Sequence, residues 1–134
     1  MKLDGVEHIG IAVSDLDACI RTFEEVFGIK CAAREKVEAS KVEVAVFDLG
    51  GTKLELVTPT DPASGVGKFL ASRGPGIHHI CLRVQDIEGW LDALGRRGVD
   101  LIDKVPRRGA FGHTVAFLSP KSVCNILIEL SERK

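Results

Sequence analysis

The chain has 134 residues, of which 45% are hydrophobic, and 18 Lys plus Arg against 19 Asp plus Glu give a formal net charge of -1. That size fits one globular domain, or two small modules sharing a core, and without a basic block we expect no nucleic-acid partner. No apolar run is long enough to span a bilayer and no signal peptide is evident, so we expect a cytoplasmic protein without a membrane partner. The four scattered cysteines form no Cys-x-x-Cys motif and are expected to be reduced thiols.

The sequence repeats itself. Residues 8–16 align with residues 79–87, and the offset of 71 residues holds at both ends of the match (79 − 8 and 86 − 15). An internal repeat constrains the fold and the functional site together, because each copy supplies an equivalent structural unit.

Each repeat begins with a predicted strand followed by a helix. Apolar residues alternate along the strand, which places its histidine on the opposite face. An aspartate after the strand is a typical N-cap, and a glycine ends the helical pattern. These residues are Ile9, Ile11, Val13, Asp15 and Gly28 in the first repeat and Ile80, Leu82, Val84, Asp86 and Gly98 in the second.

Sequence typical of strands follows each helix. In the first repeat, residues 42–49 and 52–58 are predicted strands on either side of a Gly-Gly hairpin turn. In the second repeat, residues 114–118 and 125–130 are predicted strands around a Pro-Lys-Ser loop. Each repeat is therefore predicted to have the order β-α-β-β-β.

Two such repeats predict a single α+β domain over residues 1–134, built from tandem modules that share a curved sheet. The modules cover about residues 5–58 and 77–132, and the Pro-, Gly- and Ser-rich residues 59–76 link them through a short amphipathic piece. A curved sheet with a helix on its convex face leaves a concave face to be filled by something else. We expect the two concave faces to form one cup.

One histidine and one glutamate from each repeat are expected on the concave face. His8 and His79 lie on the first strands, and Glu55 and Glu129 lie on the last strands, each between two apolar residues. Two imidazoles and two carboxylates suit Zn²⁺, Mn²⁺, Co²⁺, Ni²⁺ or Fe²⁺, and an octahedral ion with four protein ligands keeps two positions open. The sequence therefore predicts a catalytic metal site bound by these four residues.

Taken singly, each residue also has an ordinary structural interpretation. A lone strand histidine is often a satisfied core or surface residue, and Glu55 beside Lys53 is equally consistent with a cross-strand ion pair. Glu129 lies in an apolar run and needs a partner if it is buried. Recurrence in both repeats favours the metal site. His78 is expected to line a strand end or to bond backbone, and the loop residue His113 is a candidate substrate contact.

Seven segments carry a resemblance to a known family: residues 8–13, 51–56, 68–70, 76–80, 115–118, 120–122 and 127–130. The tandem β-α-β-β-β pattern resembles the vicinal oxygen chelate superfamily. Within it, the chain is similar to the methylmalonyl-CoA epimerases almost from end to end.

The resemblance implies that His8, Glu55, His79 and Glu129 bind a divalent ion, such as Co²⁺, Mn²⁺, Zn²⁺ or Ni²⁺. It implies an isomerase that inverts the carbon between the thioester carbonyl and the carboxylate of methylmalonyl-CoA. A proton leaves one face and another returns to the opposite face, and an ion chelated by the two substrate oxygens stabilises the enolate. It further implies an acyl-CoA as the small-molecule partner and a homodimer.

The resemblance also implies that Glu129 is a catalytic base while it touches the metal. The second acid of the family aligns with Val44, so Glu43 and Glu38 are alternative candidates. Phe111, Ser119 and the residues at 123–125 depart from the family pattern and leave a related acyl-CoA possible as substrate. Predicted substrate-binding residues are Lys121, Ser122 and Arg107, and further cationic candidates are Lys68, Arg73 and Arg108. For any one of these five cations taken singly, solvated surface charge is the favoured interpretation.

Three other functions of the superfamily compete with this prediction. Lactoylglutathione lyase uses nearly the same ligands and also proceeds through an enolate, but the Pro-Lys-Ser segment and the compact length favour the epimerase. Retention of all four ligands disfavours a binding protein of the bleomycin-resistance kind. Extradiol dioxygenases usually need a three-ligand site, so a fourth ligand disfavours them.

Overall fold

The computed structural model describes residues 1–133, which contain eight strands and three α-helices. In chain order these are β1 (Val6–Ala12), α1 (Leu16–Phe27), β2 (Ala33–Val37), β3 (Val42–Asp48), β4 (Lys53–Pro59), α2 (Gly65–Arg73), β5 (Gly76–Arg83), α3 (Ile87–Arg96), β6 (Arg107–Arg108), β7 (Thr114–Leu118) and β8 (Ile128–Glu132). None of the helices in this part of the chain is long and apolar enough to cross a bilayer. The predicted α+β class and the β-α-β-β-β order of both repeats are confirmed.

The chain forms two compact units. The first unit is His8–His78, and the second unit combines Met1–Glu7 with the chain from His79 onward. The N-terminal segment joins the second unit through backbone hydrogen bonds of 2.8 Å from Asp4 N to Arg83 O and from Arg83 N to Gly5 O. The Arg83 side chain adds an ion pair of 3.2 Å to the buried carboxylate of Glu7.

In the first unit the strands lie in the order β2-β3-β4-β1, and only the β1–β4 pair among these is parallel. Helix α1 begins at the predicted cap, where Asp15 Oδ1 accepts a hydrogen bond of 3.0 Å from Ala18 N. It ends at Gly28, whose φ of 67° is the left-handed conformation of a helix C-cap. The buried face of α1 packs against β3 and β4 through Leu16, Ile20, Ala45, Phe47 and Leu56.

The second unit repeats this arrangement with strand order β5-β8-β7-β6, in which β5 and β8 are parallel. Asp86 Oδ1 accepts a hydrogen bond of 3.0 Å from Gly89 N at the start of α3, and Gly98 has a φ of 82° just beyond its end. The apolar cluster under α3 contains Val84, Ile87, Leu91, Ala116, Leu118, Ile128 and Leu130. The odd-numbered residues of β5, β7 and β8 therefore face away from the helix.

Two predicted elements differ from the structure in extent. The last strand begins at Ile128 rather than at residue 125, because Cys124 and Asn125 have positive φ values of 55° and 66° that a strand does not allow. Asn125 N instead donates a hydrogen bond of 2.9 Å to Pro120 O, which closes a turn before the strand. The amphipathic piece of the linker is helix α2, whose N-cap Ser64 accepts 3.1 Å from Gly67 N.

Candidate active site

In the first unit, a buried histidine faces a buried glutamate. Gly10 of β1 is in register with Glu55 of the parallel strand β4, and His8 lies two residues earlier on the same face of β1 as Gly10. His8 Nδ1 lies 3.2 Å from Glu55 Oε2, and each residue is only 6% exposed.

The second unit contains the same pair. Cys81 of β5 is in register with Glu129 of the parallel strand β8, and His79 lies two residues before Cys81. His79 Nε2 lies 3.2 Å from Glu129 Oε1, and the two residues are 7% and 6% exposed. In both units, then, the glutamate is opposite the residue that follows the histidine by two positions.

Each pair has the chemistry and spacing of two metal ligands. Imidazole nitrogen and carboxylate oxygen bind Zn²⁺-like ions at about 2.0–2.2 Å, so two such donors on neighbouring coordination positions are separated by about 3 Å. The distance of 3.2 Å in both pairs fits that separation. Burial of a carboxylate also requires a compensating positive charge or hydrogen bonds. The residues of both units therefore fit a divalent cation.

The face of the second unit that carries Glu129 holds further polar and aromatic groups. Phe117 is in register with Glu129, and Val115 is in register with Ser131. Opposite residues in an antiparallel pair point to the same side, so all four share a face. The Phe117 ring meets the His79 ring edge-on, with centroids 5.6 Å apart and an interplanar angle of 80°.

Arg107 is anchored on this face. Its guanidinium carbon lies 5.5 Å from the centre of the Phe117 ring, and its Nε donates a hydrogen bond of 3.3 Å to Asp103 Oδ1. Asp103 Oδ2 in turn accepts a hydrogen bond of 2.9 Å from Phe117 N. The guanidinium is thus held over an aromatic ring that touches His79. A guanidinium group is a donor that suits recognition of a carboxylate or phosphate.

The other predicted substrate-binding residues are more exposed. Lys121 and Ser122 lie in the single 3₁₀ turn after β7, and Ser122 Oγ accepts 2.9 Å from Asp100 N. Lys68 and Arg108 are exposed, and Arg73 lies 5.6 Å from the Phe69 ring. Of these cationic candidates, Arg107 is the one that the described contacts link to His79.

Four further candidates from the sequence lie in the first unit. His78 packs edge-on against Phe69, with ring centroids 5.0 Å apart. Val44 is buried and shares the face of Glu55, because it is in register with Val57 two residues further along β4. Glu43 points to the opposite face, where its carboxylate lies 3.0 Å from Arg34 Nη2. Glu38 is exposed in the β2–β3 turn.

Some residues of this face were not found from the sequence. Asp103 anchors Arg107, and Phe117 supplies the ring beside His79. Ser131 supplies a buried hydroxyl two residues beyond Glu129. The alternation of β8 would have placed Ser131 on the Glu129 face, whereas nothing local in the sequence marks Asp103, which lies outside the named strands.

Comparison with known proteins decides the family. The family model described as the Glyoxalase/Bleomycin resistance protein/Dioxygenase superfamily matches residues 7–117. The chain belongs to this superfamily. It is 40% identical over 98% of its length to the uncharacterized protein YqjC of Bacillus subtilis, of which it covers 94%. It is 35% identical over 96% of its length to the mitochondrial methylmalonyl-CoA epimerase of Dictyostelium discoideum, of which it covers 78%.

The solved structures agree with this assignment. A methylmalonyl-CoA epimerase in complex with methylmalonyl-CoA and NH4+ superposes with a TM-score of 0.94 at 34% identity, and the match covers 98% of this chain and 96% of the other. The chain is therefore a superfamily member of the epimerase branch and an enzyme of the isomerase class. Enzymes of the superfamily typically use a divalent metal ion, and the imidazole and carboxylate groups of each unit are of the kind that bind such an ion.

Proposed function

We propose that the protein is a metal-dependent methylmalonyl-CoA epimerase whose ligands are His8, Glu55, His79 and Glu129. The observation that carries this proposal is the recurrence of one buried His–Glu pair in each unit, with the same strand register and the same 3.2 Å separation. The similarity to epimerases supports the substrate class. The sequence repeat supports the assignment of both pairs to one ion.

The reaction requires removal of a proton from the carbon between a thioester and a carboxylate. That carbon is a weak acid, so negative charge developing on the substrate oxygen needs stabilisation. A bound divalent ion supplies that stabilisation as a Lewis acid. The donor set fits this role, because two neutral imidazoles and two carboxylates leave coordination positions for substrate oxygens.

The residues around Glu129 provide the rest of the site. In this proposal Glu129 accepts the substrate proton, and its position on the face shared with Phe117 and Arg107 supports that role. Phe117 contributes an apolar wall that limits the access of water, and Arg107 is positioned to bind an anionic group of the acyl-CoA. A carboxylate that also contacts a metal is a weaker base, so general base catalysis by Glu129 depends on the reduced polarity of its surroundings.

The decisive experiment is incubation of the metal-loaded protein with methylmalonyl-CoA in deuterium oxide while the methine signal is followed by proton NMR. We expect loss of this signal together with equilibration of the two epimers. The hemithioacetal of methylglyoxal and glutathione is the comparison substrate, and its isomerisation in place of methine exchange would identify a lactoylglutathione lyase. Absence of both reactions with confirmed metal content would refute an isomerase of either kind.

A further inference from the structure

A second titratable side chain lies on the face of Glu129. His113 Nδ1 lies 2.9 Å from Ser131 Oγ, and Ser131 is 1% exposed. Ser131 follows Glu129 by two residues on β8, so the two side chains point to the same side of the sheet about 6.6 Å apart along the strand. The contact with Ser131 therefore brings the half-buried imidazole of His113 to the face of β8 that carries the predicted base.

Inversion at one carbon needs proton transfer on two faces, and Glu129 serves only one of them. The position that aligns with the second family acid holds Val44, which cannot transfer a proton. Glu43 faces away from Val44 and is engaged by Arg34, and Glu38 lies exposed in a turn. The proposed reaction therefore requires another donor and acceptor of protons.

The chemistry of the other groups on the Glu129 face favours His113. Arg83 and Arg107 carry guanidinium groups, which have hydrogen-bond donors and no acceptor atom. The thiol of Cys81 is fully buried in register with Glu129, which disfavours its ionised form. Imidazole exchanges protons near neutral pH, and a hydrogen bond at one ring nitrogen fixes which nitrogen meets the substrate.

We propose that His113, oriented by Ser131, is the second proton-transfer residue of this enzyme. This inference rests on the proposed epimerase function. The hydroxyl of Ser131 holds Nδ1, and Nε2 is the nitrogen that exchanges a proton with the substrate.

The proton balance is simple. In one direction, the lone pair of Nε2 takes the substrate proton, and the electron pair of the broken C–H bond is delocalised into the enolate. Protonated Glu129 then gives its proton to the same carbon from the opposite face. His113 ends as imidazolium and Glu129 as carboxylate. In the reverse direction, Glu129 takes the proton and the imidazolium returns one. Exchange with water restores the starting protonation.

The test compares the two pure epimers of methylmalonyl-CoA in deuterium oxide, with metal-loaded wild-type protein and the His113→Gln variant. Glutamine keeps a hydrogen-bonding group near Ser131 but cannot transfer a proton. We expect epimerisation to fall by about 100-fold or more. We also expect one epimer to keep exchanging its methine proton through Glu129 without inversion, while the other epimer stops exchanging.

Ser131→Ala is the second variant, because it removes the group that orients the imidazole and leaves the imidazole in place. We expect slower inversion with the same one-sided exchange. His78→Gln, a matched change at a half-buried histidine of the other unit, is the control and should behave as wild type. Wild-type epimerisation by His113→Gln, or equal loss of exchange from both epimers in a folded, metal-loaded variant, would overturn the assignment. Failure of the wild-type protein itself to exchange either epimer would instead refute the proposed function and this inference with it.

Discussion

The carboxylate Oε1 of Glu129 lies 3.2 Å from Nε2 of His79, and both side chains are buried. The first unit contains the same relationship between Glu55 and His8, again at 3.2 Å. In both units the pair joins two parallel strands, and the glutamate is opposite the residue two positions after the histidine. Preservation of this register in two diverged repeats is expected when the pairs share one chemical task.

If the four residues bind one ion, His8→Ala and His79→Ala should weaken Co²⁺ binding to a similar extent. We expect the Kd to rise by about 100-fold or more in each variant, since each loses one direct ligand. Isothermal titration of chelator-treated protein with Co²⁺ measures both the affinity and the stoichiometry. One ion per chain is the expected value, and the adjacent His78→Ala variant should bind as wild type.

Metal removal should also lower the stability of the protein. An ion that binds only the folded state stabilises it by about 4 kcal/mol at 1,000 times its Kd, so the Tm should fall on chelation and recover when Co²⁺ or Mn²⁺ is added. Activity should follow the same course. Undiminished activity and an unchanged Tm after verified metal removal would contradict the proposed site.

Arg107→Ala should impair substrate binding more than the chemical step. The guanidinium is held by Asp103 and by the Phe117 ring, so its removal costs an oriented, charge-assisted contact to an anionic substrate group. We expect KM to rise by about 10-fold with a smaller change in kcat. Arg107→Lys should recover only part of the loss, because Lys lacks the planar fork and the stacking surface. An unchanged KM in both variants would place Arg107 outside the substrate site.

The contrast between predicted and missed features has a physical cause. Helix α1 was predicted with its ends because Asp15 and Gly28 act locally, through hydrogen bonds within a few residues. The predicted start of β8 at residue 125 is wrong, because Asn125 has a left-handed conformation. That conformation depends on a turn, which the Asn125 amide closes by its hydrogen bond to Pro120 O. The anchoring of Arg107 by Asp103 and Phe117 arises from packing between segments, which periodicity does not encode.

The four ligand candidates were found from recurrence alone, and the structure places them as two His–Glu pairs. Their binding of one ion, the homodimer and the cytoplasmic location stay predictions. The departure at Val44 was visible in the sequence, but the geometry that directs attention to His113 was not, because its contact to Ser131 joins a loop to a strand 18 residues away.

Glu43→Gln should leave the activity close to that of wild type. The Glu43 carboxylate lies on the face opposite Val44 and pairs with Arg34, which also contacts Asp17 at 2.6 Å. Loss of this partly exposed pair should cost about 0–1 kcal/mol of stability, because such ion pairs are well solvated. Steady-state kinetics and urea unfolding provide the two measurements. A drop of kcat by orders of magnitude in a stable Glu43→Gln protein would identify Glu43 as the second proton-transfer group in place of His113.

Two glycines of helix α2 should respond differently to substitution by alanine. A Cβ on Gly67 would lie 2.4 Å from Pro62 O and 2.7 Å from Pro62 C, which are backbone atoms that cannot rotate away, whereas a Cβ on Gly65 meets nothing within 4 Å. Gly67→Ala should therefore lower the free energy of unfolding by about 1–3 kcal/mol through overpacking. Gly65→Ala should leave it unchanged or raise it by up to about 1 kcal/mol, because alanine restricts the unfolded chain and favours the helix. Urea denaturation of the two variants measures the difference, and equal stabilities would show that the segment around Pro62 yields to the added methyl group.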